Sequence, residues 1–235
     1  MGFRFANAAL RVRASFVLLL VVGNASASEL SGIVTLASEY IYRGQSLSSQ
    51  NPVIQAGIDY EHDSGLFAGA WASTVDLPNP TGRRDAELDF YAGYHFASKS
   101  PFSAAVSVVR YTYPGQTGPI DYNYTEAVVV AAYKERLSLE LGFTDSLYGF
   151  DAAGRHAELR ADWPSKNAWV VSAGVGYNEI EEIGMTNYWY WDLGASARYS
   201  RLTVDLRWYD NEAPQGFLSG LSAGSRLVVA LSAAF

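Results

Sequence analysis

The sequence predicts an all-β protein: a transmembrane antiparallel up-and-down β-barrel of about 12 strands behind a cleaved leader. Three observations point there. Apolar residues recur at every second position in about a dozen separate segments, the period of a strand with two unlike faces. The connections between those segments run long, short, long, short, as in membrane barrels of even strand number. The chain also ends on Gly220 to Phe235, where Leu221, Ala223, Leu227, Val229, Leu231, Ala233 and Phe235 share one parity, interrupted by Ser225.

Residues 1–27 read as a signal peptide. Arg4, Arg11 and Arg13 form a basic leader, Phe16 to Val22 a short apolar core, and Ala25-Ser26-Ala27 a small-residue cleavage site. Seven apolar residues are too few for a bilayer, which needs roughly 20 in a helix. Residues 28–235 then form one barrel domain of 208 residues, with 14 basic side chains against 24 acids. That balance argues against a nucleic-acid partner. Cysteine is absent, while the chain holds 16 Tyr, 11 Phe, 6 Trp and 21 Gly. Without disulfides, a secreted chain depends on a core or on a closed sheet. A mean hydropathy of −0.01 fits a barrel whose lumen-facing half is polar.

The first strand reads Ile33 to Arg43, with Val34, Leu36, Tyr40 and Tyr42 on one face and Thr35, Glu39 and Arg43 on the other. A polar connection, Gly44 to Asn51, leads to Val53–Glu61, where Ile54, Ala56, Ile58 and Tyr60 oppose Gln55, Gly57, Asp59 and Glu61. After the turn His62-Asp63-Ser64-Gly65 comes Leu66–Val75, whose alternation is poor because Leu66, Ala68, Ala70 and Ala72 oppose Phe67, Trp71 and Val75. Ala86 to Phe96 is the cleanest strand, with Leu88, Phe90, Ala92, Tyr94 and Phe96 against Glu87, Asp89, Tyr91, Gly93 and His95.

Strands follow at Phe102–Tyr111, Asp121–Tyr133 and Arg136–Thr144, the last two joined by a tight Lys134-Glu135 reversal. His156–Trp163, Ala168–Tyr177, Tyr188–Tyr199 and Leu202–Tyr209 alternate clearly before the closing segment. The count is twelve; ten or fourteen remain open, because Leu66–Val75 and Phe102–Tyr111 are the least regular. A soluble sandwich also alternates its faces. The leader, the terminal Phe235 and aromatics at strand ends (Tyr40, Tyr42, Tyr94, Tyr177, Trp189, Tyr199) favour a membrane barrel with interfacial girdles.

With the apolar parity outward, the lumen holds Glu39, Asp59, Glu61, Glu87, Asp89, Glu126, Glu140, Glu158, Asp162, Asp192 and Asp205, against Arg43, Arg160, Arg198, Arg207 and Arg226. An acid-rich passage favours cations modestly. The same residues could instead pair across strands and fill a narrow barrel. An enzyme would need a nucleophile and base together; His95 and His156 fall near opposite ends of the wall, and both read as members of a polar lumen network. Three scattered histidines and no cysteine offer no metal-ligand spacing, and no glycine loop suggests a cofactor. Segments such as Tyr111–Gly115 and Asn178–Glu182 read as outer connections able to contact an external ligand.

More specific wording stands at Leu36-Ala37-Ser38-Glu39-Tyr40-Ile41-Tyr42-Arg43-Gly44-Gln45-Ser46, then Asn51-Pro52-Val53-Ile54-Gln55-Ala56-Gly57-Ile58-Asp59-Tyr60. Together with Ser64 to Ser73 and Asp89 to Tyr94, it resembles the proteobacterial TorF family of porins, long catalogued as the Gcw_chp family of unknown function. The resemblance implies a barrel in the outer membrane of a Gram-negative cell and porin activity. It implies no catalytic or ligand set. The expected partners are outer-membrane lipid and lipopolysaccharide, small hydrophilic solutes, and the barrel-assembly machinery, which would read Leu227, Val229, Leu231, Ala233 and Phe235. Both termini are expected in the periplasm. Arg43 is expected at the mouth of the first strand, within reach of Glu39 or Asp59, as a constriction residue or as a staple for the first loop.

Overall fold

The computed structural model describes residues 28–77, 85–96, 101–115, 121–165, 168–181, 186–213 and 224–235. The leader, and the start of the closing segment at Gly220 to Ala223, lie outside them. In chain order the elements are β1 (Glu29–Ala37), the short β2 (Ile41–Tyr42) and β3 (Gln45–Ser46), β4 (Val53–Glu61), β5 (Leu66–Val75), β6 (Asp85–Phe96) and β7 (Phe102–Thr112). They continue with β8 (Tyr124–Tyr133), β9 (Leu137–Thr144), β10 (Gly154–Pro164), β11 (Trp169–Ile180), β12 (Tyr188–Tyr199), β13 (Leu202–Asn211) and β14 (Arg226–Ala234). Leu147–Gly149 forms a single 3₁₀ turn.

Among the described residues, β1 and β4 through β14 close into a twelve-stranded antiparallel barrel. Each strand pairs with its neighbour in sequence, and β1 seals the sheet against β14 with Thr35 opposite Ser232 and Leu36 opposite Leu231. Gly32 and Phe235 exchange backbone hydrogen bonds at 2.9 and 3.0 Å, extending the seam to the last residue. Closure leaves no strand edge, the condition for a sheet in lipid. The strand ends Glu61 and Leu66, Phe96 and Phe102, Tyr133 and Leu137, Pro164 and Trp169, and Tyr199 and Leu202 lie at the rim that holds both ends of the sheet. At the Lys134-Glu135 reversal both residues have positive φ, 51° and 54°, which matches the twist of the flanking strands.

The outward face carries Leu36, Ile54, Ile58, Phe90, Leu141, Leu159, Trp191, Leu193, Leu206 and Val229, all exposed, among many others. The lumen parity is buried and polar. Tyr94, Trp189 and Tyr199 are exposed near strand ends, as expected of a girdle.

Three expectations are corrected. The first strand ends at Ala37 and does not run to Arg43. Tyr40 and Tyr42 are therefore not girdle residues; both are buried inside the barrel. On β5 the bulky apolar set faces inward, with Phe67 and Val75 buried and Leu66 and Ala68 exposed. Tyr111 and Tyr113, read as outer-loop residues, also turn into the lumen and are buried.

Leu206, exposed on the outer face near the middle of β13, tests this orientation. Leu206→Arg is expected to destabilise the barrel by about 2–4 kcal/mol in urea titrations in lipid vesicles, the cost of a charge near mid-bilayer.

Candidate functional site

The lumen is filled from one side by the first long connection. After Ala37 the chain leaves the wall: the Ser38 amide donates to the Val229 carbonyl (2.9 Å) and the Val229 amide to Ser38 Oγ (3.0 Å). It then turns inward as a small hairpin in which Ile41 pairs with Ser46 and Tyr42 with Gln45. The two residues between, Arg43 and Gly44, both have positive φ, 47° and 78°. That is the two-residue turn preferred in tight hairpins, and it accounts for glycine at the second position. Arg43 takes the same left-handed conformation without glycine's freedom, at a cost of about 1–3 kcal/mol.

Contacts on the far walls hold the turn. Arg43 Nη2 lies 2.6 Å from Glu126 Oε2 on β8 and 3.5 Å from His156 Nε2 on β10. His156 in turn stands 3.4 Å from Glu126 and 3.0 Å from Glu140. Asn211 of β13 donates to the Gly44 carbonyl (2.5 Å). The Tyr42 hydroxyl meets those of Tyr111 (3.2 Å) and Tyr124 (3.3 Å), whose rings stack at 4.4 Å. Tyr40 packs on Trp71 at 5.4 Å. Leu47 is clamped between strand ends, its amide donating to Tyr40 and its carbonyl accepting from Asp76. Tyr40 and Ile41 are fully buried. Burial works against the Arg43 charge, but Glu126 outweighs it and holds the guanidinium well above its ordinary value. Burial, then Glu87 and Asp89, push the Tyr40 phenol well up, and burial pushes that of Tyr148 in the 3₁₀ turn up to about 12.

Beneath the hairpin lies an ionic layer. Arg160 makes a bidentate pair with Asp192 (2.8 and 2.5 Å) and also reaches Glu158 (3.0 Å). Arg207 pairs with the same Asp192 and with Asp205, and donates to Ser172 at 2.8 Å. Arg226 pairs with Glu39 at 3.2 Å, and Asp162 is buried on the inward face. Glu87 and Asp89 are buried on β6, where the Tyr113 hydroxyl donates to Glu87 (3.1 Å). Toward the short-turn rim the lumen opens. Asp59, hydrogen-bonded by Tyr91, and Glu61 are half-buried, and Arg198 donates to the Ser200 carbonyl. His95 packs on Phe67 there, far from the His156 network, so the two histidines do not meet.

All sixteen expected lumen side chains thus lie on the inner side, and most are brought together into ion-paired groups. Arg43 reaches neither Glu39 nor Asp59; its reach is set by the hairpin and not by the wall. What sequence reasoning missed is that Tyr40 and Tyr42 insert into a socket formed by Tyr111, Tyr113, Tyr124 and Tyr190. The available signal was tyrosine on the polar parity of β8 and β12. In the closing strand, Leu227, Val229, Leu231 and Phe235 face outward as expected, with Ala233 on the same side.

Residues 22–235 match the family described as "Bacterial protein of unknown function (Gcw_chp)". The chain belongs to that family. No curated protein is significantly similar to it. Among solved structures, the Gcw_chp chain is similar to the KdgM porin, with a TM-score of 0.56 at 9% identity over 87% of this chain and 99% of that one. KdgM in complex with disordered oligogalacturonate gives 0.55 at 9%, over 89% and 99%. The COG4313 outer-membrane channel from Pseudomonas putida F1 gives 0.51 at 12%, over 93% and 100%. These likenesses place the fold among porin-like outer-membrane barrels.

The ionic layer yields a stability test. Asp192→Ala leaves two buried guanidinium groups short of their shared partner and is expected to cost about 3–5 kcal/mol in urea unfolding. Arg198→Ala, at the open end, should stay within about 0.5 kcal/mol.

Proposed function

We propose that this Gcw_chp protein is an outer-membrane channel of porin type, passing small hydrophilic solutes through an acid-rich lumen with a modest preference for cations. The observation that carries this reading is a closed barrel with an apolar belt outside and eleven acids against five arginines inside. The TorF resemblance implies the same activity. In this reading both termini are periplasmic, the long connections face outward, and Leu227 to Phe235 present the pattern read by the assembly machinery. No enzymatic role is assigned.

KdgM is bound to oligogalacturonate, a polyanion, in one of its structures. Here Arg43, Arg160, Arg207 and Arg226 are each matched by carboxylates, so the surplus charge is negative. That supports cations or neutral solutes over acidic chains.

Passage requires the hairpin to leave its socket. Burial of Ile41 and Leu47 contributes about 3–6 kcal/mol, and parting Arg43 from Glu126 costs roughly 3–5 kcal/mol. Even a net opening cost of about 4 kcal/mol holds the open fraction near one in a thousand, at about 1.4 kcal/mol per tenfold. The expected wild-type behaviour is therefore rare, brief opening. The filled lumen also favours a second reading, a plugged scaffold acting through its outer connections.

Single-channel recording of refolded protein in a planar bilayer with a salt gradient separates the two. Brief steps with a cation-leaning reversal potential are expected. Arg43→Ala should raise open occupancy tenfold or more and increase cation selectivity, because it frees Glu126. Silence from both proteins, each shown to be folded by heat-modifiable migration, would move the assignment to the scaffold.

A further inference from the structure

The outward face is apolar along most of each strand, and two arginines interrupt it near the long connections. Arg155 on β10 is exposed and lies 3.5 Å from Glu179, which stands opposite it on β11. Its guanidinium also sits over the Phe143 ring, at 5.9 Å. Arg155 thus has its counter-charge within the wall. Arg110 on β7 does not. It is exposed on the same face, two residues before the strand ends at Thr112. Its guanidinium donates to Thr125 Oγ1 at 3.1 Å, and among the described residues no carboxylate pairs with it.

Further donors stand beside it. Thr125 is exposed opposite Arg110 on β8, and Asn123 lies two residues earlier on the same side. Asn123 Oδ1 accepts from the Tyr113 amide (2.7 Å), which fixes the side chain and leaves its own N–H groups unused among the described residues. Asp121, the next acid along the chain, has its Oδ1 taken up by the Asn123 backbone amide (3.1 Å). Toward mid-strand the wall below is apolar: Phe90 opposite Arg110, with Val108 and Val129. Donors at strand ends above an apolar wall complement a lipid with an anionic head. An ionisable side chain facing lipid is rare and marks a site, and arginine's long stem carries its charge to the head groups. The planar guanidinium fork matches two oxygens of one phosphate.

We propose that Arg110, Asn123 and Thr125 bind a head-group phosphate of lipid A, the membrane anchor of lipopolysaccharide, with its acyl chains laid along Phe90 and Val108. Arg110 takes the phosphate in place of the carboxylate that Arg155 finds in Glu179. The inference rests on the reading that the long connections face outward, and not on conduction, so a silent bilayer would leave it standing.

The test is titration of bisphosphorylated lipid A onto the mature barrel, refolded in a neutral detergent and followed by native mass spectrometry. Wild type is expected to retain one lipid A saturably. Arg110→Gln should weaken retention about fivefold or more, the contribution of one basic side chain at an anionic lipid surface. Arg110→Lys, which keeps the charge without the fork, should fall between, and Arg155→Gln should stay within about twofold of wild type. Lipid A stripped of its phosphates should bind wild type and Arg110→Gln alike. Equal affinity of wild type and Arg110→Gln for bisphosphorylated lipid A, with both barrels folded, would overturn the proposal. Displacement of lipid A by an equal concentration of inorganic phosphate would overturn it too, making the site one for a free anion. Phosphatidylglycerol bound as tightly as lipid A, with the same loss in Arg110→Gln, would overturn the assignment to lipid A and with it the outward placement of the long connections.

Discussion

Closure of β1 onto β14 is the constraint from which the remaining features follow. In hydrocarbon, each unsatisfied backbone N–H or C=O costs several kcal/mol, so a sheet is viable there only without edges. The seam from Ile33–Ala234 to Ala37–Ala230, extended by the Gly32–Phe235 exchange, removes the last edge. Once closed, period 2 separates the two environments. Leu36, Leu206 and Val229 face one, and Thr35, Asp205 and Val228 face the other.

A twelve-stranded wall leaves an interior larger than its own side chains fill in the smallest barrels and narrower than that of wide porins. Two devices occupy the interior. In its middle, Arg160, Arg207 and Asp192 share charge across β10, β12 and β13. Toward the long connections, a hairpin cut from the first loop is pressed against Tyr111, Tyr124 and Tyr190 from three strands, β7, β8 and β12. The first device joins strands of the wall to one another. The second joins the wall to a segment that is covalently held only at its two ends, which makes the hairpin the element able to move without breaking the sheet.

The barrel was legible because the lipid face imposes one rule on almost every strand: β4, β6, β9, β12 and β13 lie close to where alternation puts them. Legibility failed where the lumen itself is apolar. On β5, Phe67, Trp71 and Val75 face inward, Trp71 onto Tyr40 and Phe67 onto His95, so the apolar parity gives no direction. The hairpin was hidden for a related reason. Tyr40 and Tyr42 continue the parity of Val34 and Leu36, and the chain's departure at Ser38 leaves no mark in the period. Only the turn chemistry at Arg43-Gly44 signals a reversal, and arginine in a left-handed conformation is a weak sign of it. The inward acids were read correctly as a set, whereas their partners depend on depth and register across strands far apart in sequence.

The claim that matters most is that the seated hairpin closes the lumen. The Leu47 amide lies 2.9 Å from the Tyr40 carbonyl, so the six residues Ile41–Ser46 can be replaced by a two-residue Gly-Gly turn that leaves both ends in place. Single-channel conductance of the shortened and full-length proteins is the direct measurement. Sustained openings are expected from the shortened barrel and only rare, brief ones from the full-length protein. Equal, sustained conductance in both would contradict closure by the hairpin.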